Sequence, residues 1–105
     1  MPDRDELMDA MRKRGAVLRG LGYKVRFDLT DTDESIFLDA AGGAMDLREA
    51  APDEAADTVL ALTSDNLAKL IAGKLSPMLA FSTGRLRVEG SKGVAMKLAS
   101  LLDED

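Results

Sequence analysis

The chain lacks cysteine, histidine and tryptophan, and only four of its 105 residues are aromatic. Without cysteine and histidine it can form no disulfide, no thiolate nucleophile and no zinc site of the usual kind. Histidine-dependent acid–base catalysis is excluded for the same reason. Only carboxylates, lysines, hydroxyls and one tyrosine remain for chemistry. These absences argue against an enzyme, and we expect no catalytic residue, no metal site and no cofactor.

Long apolar runs and targeting signals are also missing from the sequence. No stretch approaches the length of a membrane span, and residues 1–6 are too acidic for a signal peptide. Residues 102–105 carry no peroxisomal address. The absence of cysteine fits a reducing compartment, although it fits a disulfide-free secreted protein as well. We therefore expect a cytoplasmic protein.

The net charge of −5 is the sum of segments of opposite sign. Residues 1–27 and 58–102 are basic, whereas residues 28–57 and the last three residues are acidic. An acidic chain binds nucleic acid poorly, so no nucleic-acid partner is expected. The basic C-terminal half favours at most a transient contact with an anionic membrane surface. The alternative is that these charges are the solvated faces of ordinary helices.

The residues that are present suit one small domain over residues 1–105. Hydrophobic residues make up 46% of the chain, and aliphatic side chains must build its core because aromatics are scarce. Six methionines are many for this length. Methionine suits an apolar surface that can repack, but it also fills gaps in ordinary cores.

Hydrophobic periodicity predicts elements in the order α-β-β-β-β-α-α-β-α. Tyr23, Val25, Phe27 and Leu29 alternate with polar residues, which indicates a strand with one buried and one wet face. The architecture expected is α+β, with a five-stranded sheet covered on one face by helices. The predicted helices are 3–19, 63–72, one opening at 76–77 and one following 90–93; the predicted strands are 23–30, 35–40, 44–48, 57–62 and 85–89.

Glycines and acidic turns receive structural interpretations. Gly73 fits the end of a helix, and Gly84, Gly90 and Gly93 fit tight corners. Residues 90–93 also resemble a phosphate cradle at a helix start, but they complete no P-loop motif. The acidic run 31–34 lacks the spacing of a calcium loop and is interpreted as a solvated hairpin turn.

The C-terminal half, from Ala56 onward, carries the most specific pattern in the sequence. Its landmarks are Gly73-Lys74, Ser76-Pro77, Ala80-Phe81, Gly84, Leu86, Gly90 and the run Gly93-Val94-Ala95-Met96-Lys97-Leu98. This pattern closely resembles the sterol carrier protein type 2 family. The first half matches more loosely, through the strand 25–29 and the hairpins that follow it. The resemblance covers essentially the whole chain.

The resemblance implies a tunnel between the sheet and the helices that takes sterols, fatty acids, acyl-CoA or phospholipids. Family members act as carriers, as accessory domains fused to enzymes, or as lipid-handling factors in quinone biosynthesis. Because the sequence has no peroxisomal address, it is similar to a stand-alone, bacterial-type member.

The final helix carries an apolar stripe of Val94, Leu98, Leu101 and Leu102. Taken alone, such a stripe is typical of a helix packed on a core. Together with inward residues of the strands and the other helices, it can line an apolar cavity instead. The expected lipid-binding wall is Phe27, Leu29, Leu70, Ile71, Met78, Phe81, Leu86, Val88, Val94, Met96, Leu98, Leu101 and Leu102. Lys92 and Lys97 are the candidates for contact with an anionic head group.

An empty cavity would be costly in so short a chain. A ligand site of at least ~300 Å³, at ~24 cal/mol per Å³ of void, would cost about 7 kcal/mol, comparable to the whole stability of a domain. A lipid, an inward shift of the last helix, or a second subunit must therefore fill or cover it. The sequence predicts non-catalytic binding or transfer of an apolar lipid. The alternative is an accessory protein that dimerises, or binds an enzyme, through the same apolar face and holds no free ligand.

Overall fold

The structure is a computed structural model that describes residues 2–103. Residue 1 and the last two residues of the acidic tail lie outside the described residues. The helices are α1 (Arg4–Lys13), α2 (Gly15–Leu18), α3 (Ser64–Ile71), α4 (Pro77–Ser82) and α5 (Lys92–Asp103). The strands are β1 (Lys24–Leu29), β2 (Glu34–Asp39), β3 (Asp46–Glu49), β4 (Thr58–Leu62) and β5 (Arg87–Gly90).

The five strands form one mixed sheet in the order β3-β2-β1-β4-β5. β1 pairs with β4 in parallel, and every other neighbouring pair is antiparallel. The predicted α+β class, the five-stranded sheet and the element order are confirmed. The first predicted helix is divided, because Arg14 leaves the helical conformation (φ −104°, ψ 21°) and separates α1 from α2.

Local sequence signals place the helix starts. Asp3 accepts a hydrogen bond from the N–H of Glu6 at 2.8 Å and caps α1, as the sequence predicts. Thr63 caps α3 in the same way, through the N–H of Asn66. The last helix begins at Lys92, where Ser91 Oγ accepts from the N–H of Val94 at 3.2 Å. Gly93 therefore lies inside α5, and its assignment to a tight corner is wrong.

One face of the sheet carries the core. Val25, Phe27 and Leu29 of β1 are buried in it, as their alternation predicts. Apolar residues of all the helices join the same cluster. Tyr23 departs from the pattern: it precedes β1, is 42% exposed and does not continue the buried face. Because the helices pack on the buried face of the sheet, they cover that face, and the pocket described below lies between the sheet and the helices.

The opposite face of the sheet is polar and holds one buried ring. The guanidinium carbon of Arg48 lies 4.4 Å from the ring centroid of Phe37, which is 3% exposed. On the same face Arg26 binds both carboxylate oxygens of Asp28. On this face, which no helix covers, the Arg48 guanidinium therefore shields the Phe37 ring from solvent.

A buried serine fastens the β1–β2 turn to the start of α3. Ser64 is fully buried, and its Oγ and N–H donate to the Asp31 carboxylate at 2.6 and 3.0 Å. The hydrogen bond from the Ser64 hydroxyl lowers the pKa of Asp31 below its ordinary value of 3.8. The acidic turn is therefore a helix anchor rather than a merely solvated loop.

Replacing Ser64 with alanine is expected to lower the free energy of unfolding at pH 7 by about 1–2 kcal/mol, since one charge-assisted hydrogen bond is lost. The folded-state pKa of Asp31 is depressed, so this stabilisation is present above the unfolded value and is lost as pH falls through the folded value. Urea titrations at pH 7 and at successively lower pH, until Asp31 is protonated in the folded protein, measure both effects. Asp31→Asn is the control, because an amide oxygen accepts from Ser64 independently of pH. A Ser64→Ala cost that stays constant over the whole pH range would contradict this assignment.

Candidate functional site

An apolar pocket of about 150 Å³ lies between the sheet and helices α3, α4 and α5. Strands β1 and β4 supply its floor through Phe27 and Leu60, which face each other in register. Its lining residues are Met11, Leu18, Phe27, Leu60, Leu67, Leu70, Ile71, Pro77, Met78, Phe81, Leu86, Val88, Lys92, Ala95, Met96, Leu98, Ala99 and Leu102.

Helix α5 forms one wall with a stripe of alternating large and small side chains. Ala95, Leu98, Ala99 and Leu102 lie at i, i+3, i+4 and i+7, which places them on one helix face. Leu98 and Leu102 are buried, whereas the two alanines are half-buried. The alanine methyl groups leave free volume where larger side chains would meet the sheet.

The pocket reaches the surface beside α4 and α5. Met78, Phe81 and Met96 line it, and yet they are 56, 49 and 59% exposed. Helix α4 starts at Pro77 behind the N-cap Ser76, so its first turn brings Met78 to this opening. We call the opening bounded by these three side chains the mouth.

The lining of the pocket is almost wholly apolar. Lys92 is exposed and is the sole charged residue among the described residues that line it. Nowhere in residues 2–103 do three or more acidic side chains group in a way that could hold a metal ion. The arrangement offers contact area to an apolar molecule and one cation to its polar end.

The structure brings ten of the thirteen predicted wall residues together around this pocket. They are Phe27, Leu70, Ile71, Met78, Phe81, Leu86, Val88, Met96, Leu98 and Leu102. Whether they contact a ligand stays a prediction. Leu29 and Val94 are buried in the core outside the lining, and Leu101 is half-buried against that core. None of these three lines the pocket, which corrects their assignment to its wall. For Val94 and Leu101 the reason is that α5 presents Ala95 and Ala99 to the pocket instead, whereas Leu29 lies at the end of β1.

The two predicted head-group lysines lie in different places. Lys92 lines the pocket. Lys97 does not, because its Nζ lies 5.2 Å from the ring centroid of Tyr23, outside the pocket. The expectation that Lys97 meets a ligand head group is therefore not supported by its position.

Seven lining residues escape the sequence reasoning. Met11 and Leu18 come from the first two helices, and Leu60, Leu67 and Pro77 from β4, α3 and α4. The remaining two are Ala95 and Ala99 of α5. The sequence carries a signal for three of the seven: Leu67 lies one turn before Leu70, and both alanines share a helix face with Leu98. Small residues on the apolar face of an amphipathic helix leave space for a cavity, and a prediction based on large apolar residues alone does not include them.

Within the described part of the chain, no helix has the length and apolar character needed to cross a bilayer. A model of the SCP-2 sterol transfer family matches residues 5–103. The chain belongs to this family. The family assignment agrees with the apolar pocket between sheet and helices, and it makes lipid binding or transfer the class of activity to which the domain belongs.

Individual relatives of the SCP-2 family extend this result. Hydroxysteroid dehydrogenase-like protein 2 from Homo sapiens is 33% identical over 79 residues, which are 74% of this chain and 19% of the relative. The chain thus spans about a fifth of the length of the curated relatives it matches. The apo form of Sterol Carrier Protein 2 from Yarrowia lipolytica matches with a TM-score of 0.67 and 26% identity, over 94% of this chain and 82% of that one. Palmitated SCP2L2 from Aedes aegypti matches with a TM-score of 0.66 over 91% of this chain and 94% of that one, at 12% identity, which shows the fold.

Proposed function

We propose that the chain is a non-catalytic carrier that binds the apolar part of a lipid in the pocket and places its polar end at Lys92. The observation that carries this proposal is the continuity of an apolar pocket with an apolar mouth at the surface. Sterols, fatty acids, acyl-CoA and phospholipids are the ligand classes under consideration. The palmitated state of the relative from Aedes aegypti supports a fatty acyl chain among them.

The size of the pocket indicates how a ligand enters. At about 150 Å³, the pocket is smaller than the ~300–1,000 Å³ typical of ligand sites. Accommodating a long acyl chain therefore requires the mouth to widen. Met78 and Met96 suit this role because unbranched thioether side chains change rotamer easily. An apolar occupant that fills the pocket removes its lining from water and therefore stabilises the fold.

Direct binding tests the proposal. Protein purified without detergent is extracted with organic solvent, and the extract is analysed by mass spectrometry for lipid. The delipidated protein is then titrated with a fluorescent fatty acid, which is displaced with unlabelled fatty acid, sterol and acyl-CoA. We expect saturable one-to-one binding and displacement by at least one of these classes. No co-purified lipid together with no probe binding would contradict the proposal.

Ligand binding is expected to raise the midpoint of thermal unfolding, since a molecule that binds only the folded state stabilises it by mass action. A fatty acid at 100 times its Kd contributes about 2.7 kcal/mol, which for a domain of this size raises Tm by roughly 10–20 °C. Scanning calorimetry of delipidated protein with and without the ligand measures the shift. A Tm unchanged by a saturating ligand would show that binding does not occur at the folded pocket.

A second candidate function is favoured by the exposed apolar mouth. The same residues could bind a second copy of the chain or an enzyme, as in an accessory protein with no free ligand. The relatives that carry a matching segment within a much longer chain support this candidate. Native mass spectrometry separates the two: a ligand-free dimer favours the accessory role, and a monomer carrying lipid favours the carrier. The cytoplasmic location stays a prediction.

A further inference from the structure

The methionines of the described residues differ sharply in how far solvent reaches them. Met78 and Met96 are 56 and 59% exposed, and both bound the mouth of the pocket. Met8 and Met11 are buried, at 6 and 1%. Met45 is half-buried against the core and does not line the pocket. The two methionines most accessible to a small molecule in solution are therefore the two at the mouth.

The composition of the chain leaves methionine as its only oxidisable sulfur. Cysteine, whose thiolate is the sulfur that peroxides attack at redox-sensing sites, is absent from the sequence. Methionine thioethers are oxidised to sulfoxides, a change that cellular reductases reverse. Buried side chains react with a reagent in solution only when the structure opens locally. We therefore expect a peroxide to react first at Met78 and Met96.

We propose that Met78 and Met96 form a modification site at which hydrogen peroxide regulates lipid binding. In each residue, a lone pair of the thioether sulfur attacks one oxygen of the peroxide, the O–O bond breaks and an S–O bond forms. The sulfur is oxidised by two electrons, and the peroxide is reduced by the same two. The second oxygen leaves and takes up the proton of the transferred oxygen, so the products are methionine sulfoxide and water.

Oxidation changes the chemical character of the mouth. A sulfoxide is polar, whereas the thioether it replaces is apolar and flexible. Among the described lining residues, Lys92 is the only one whose side chain can donate a hydrogen bond. A sulfoxide oxygen covered by an acyl chain therefore loses water and finds few partners, which costs free energy. Lipid binding should weaken, and this regulation rests on the proposed carrier function because it acts on the same pocket.

The test treats the full chain with hydrogen peroxide and samples it at successive times. Peptide mapping by mass spectrometry follows sulfoxide at each methionine, a fluorescent fatty-acid titration follows affinity, and circular dichroism follows the fold. We expect sulfoxide at Met78 and Met96 before Met8 and Met11, and a loss of affinity of at least roughly fivefold in a folded protein. Methionine sulfoxide reductases of both stereospecificities should restore the thioethers and the affinity together.

Two variants assign the effect to the mouth. Met78→Leu/Met96→Leu removes both sulfurs and keeps apolar side chains of similar volume. Its affinity before treatment serves as its own reference, and peroxide should leave that value unchanged. Met45→Leu is the matched control, because it removes a sulfur outside the pocket and should lose affinity on treatment as the original chain does. Reversal by the reductases decides the question in the original chain, independently of either variant.

Three results overturn the modification site. They are oxidation of the buried methionines as early as those at the mouth, unchanged affinity once both mouth methionines are sulfoxides, and an equal loss of affinity in Met78→Leu/Met96→Leu. Any of these, with normal fatty-acid binding by the untreated chain, leaves the carrier function standing. An untreated chain that binds no fatty acid overturns the carrier function and, with it, the regulation.

Discussion

Replacing Ala99 with phenylalanine is expected to abolish fatty-acid binding while the fold is retained. Ala99 is half-buried and lines the pocket from the middle of α5. A phenyl ring attached at its Cβ would occupy the space between α5 and the sheet, where an acyl chain is proposed to lie. Filling an apolar void also removes part of its cost, so the free energy of unfolding should stay within about 1 kcal/mol of the original or rise.

The measurement for Ala99→Phe pairs a fluorescent fatty-acid titration with urea unfolding. We expect affinity to fall at least roughly 100-fold, since a ligand that must displace a packed ring loses most of its apolar contact. Ser100→Phe is the matched control, because Ser100 is the next residue of the same helix and is exposed. Unchanged affinity in a folded Ala99→Phe variant would contradict the assignment of the binding site to this pocket.

Replacing Gly90 with alanine is expected to lower the free energy of unfolding by about 2–4 kcal/mol, one of the largest effects available to a single methyl group in this chain. Gly90 has φ +84°, a conformation that costs an L-residue about 1–2 kcal/mol. A Cβ there would also lie 2.9 Å from the backbone oxygen of Asp57 and 3.3 Å from Thr58 Cα. Both neighbours are backbone atoms, so no side-chain rotation relieves the contact.

The corner at Gly90 also sets the start of α5. Gly90 pairs with Thr58 at the end of β5, and the N–H of Ser91 donates to the Asp57 oxygen at 3.0 Å. Moving this corner would shift the first turn of α5, including Lys92. Gly84→Ala is the control, since Gly84 has φ +78° and open space around its Cβ position. Thermal and urea unfolding should show a larger loss for Gly90→Ala than for Gly84→Ala, and equal losses would contradict the crowding at Gly90.

Much of the fold follows from periodicity and caps in the sequence. The alternation in β1, the glycine after α3 and the Ser76-Pro77 start of α4 depend on local chemistry, so they are readable without a structure. The break between α1 and α2 at Arg14 is harder to predict, because Gly15 indicates only a weak point in a single helix. The parallel pairing of β1 with β4 depends on contacts between distant segments, and alternation does not encode it.

The residues of the pocket wall could be predicted only in part, because local periodicity identifies inward faces but not their tertiary position. Large apolar residues on inward faces are identifiable, but the orientation of α5 within a few tens of degrees decides which of them line a void. Val94 and Leu101 pack on the core beside the pocket, whereas Ala95 and Ala99 face it. The position of Lys97 near Tyr23 is a tertiary contact between segments that are far apart in the sequence, and no local pattern indicates it.

A crystal structure of detergent-free protein with a bound fatty acid tests the central claim most directly. We expect continuous density for an acyl chain between Phe27, Leu60 and Leu98, with the carboxylate near Lys92 and the mouth wider than in the free chain. A lone monomer whose pocket is filled by its own side chains, with no ligand density there at saturating fatty acid, would contradict the carrier function.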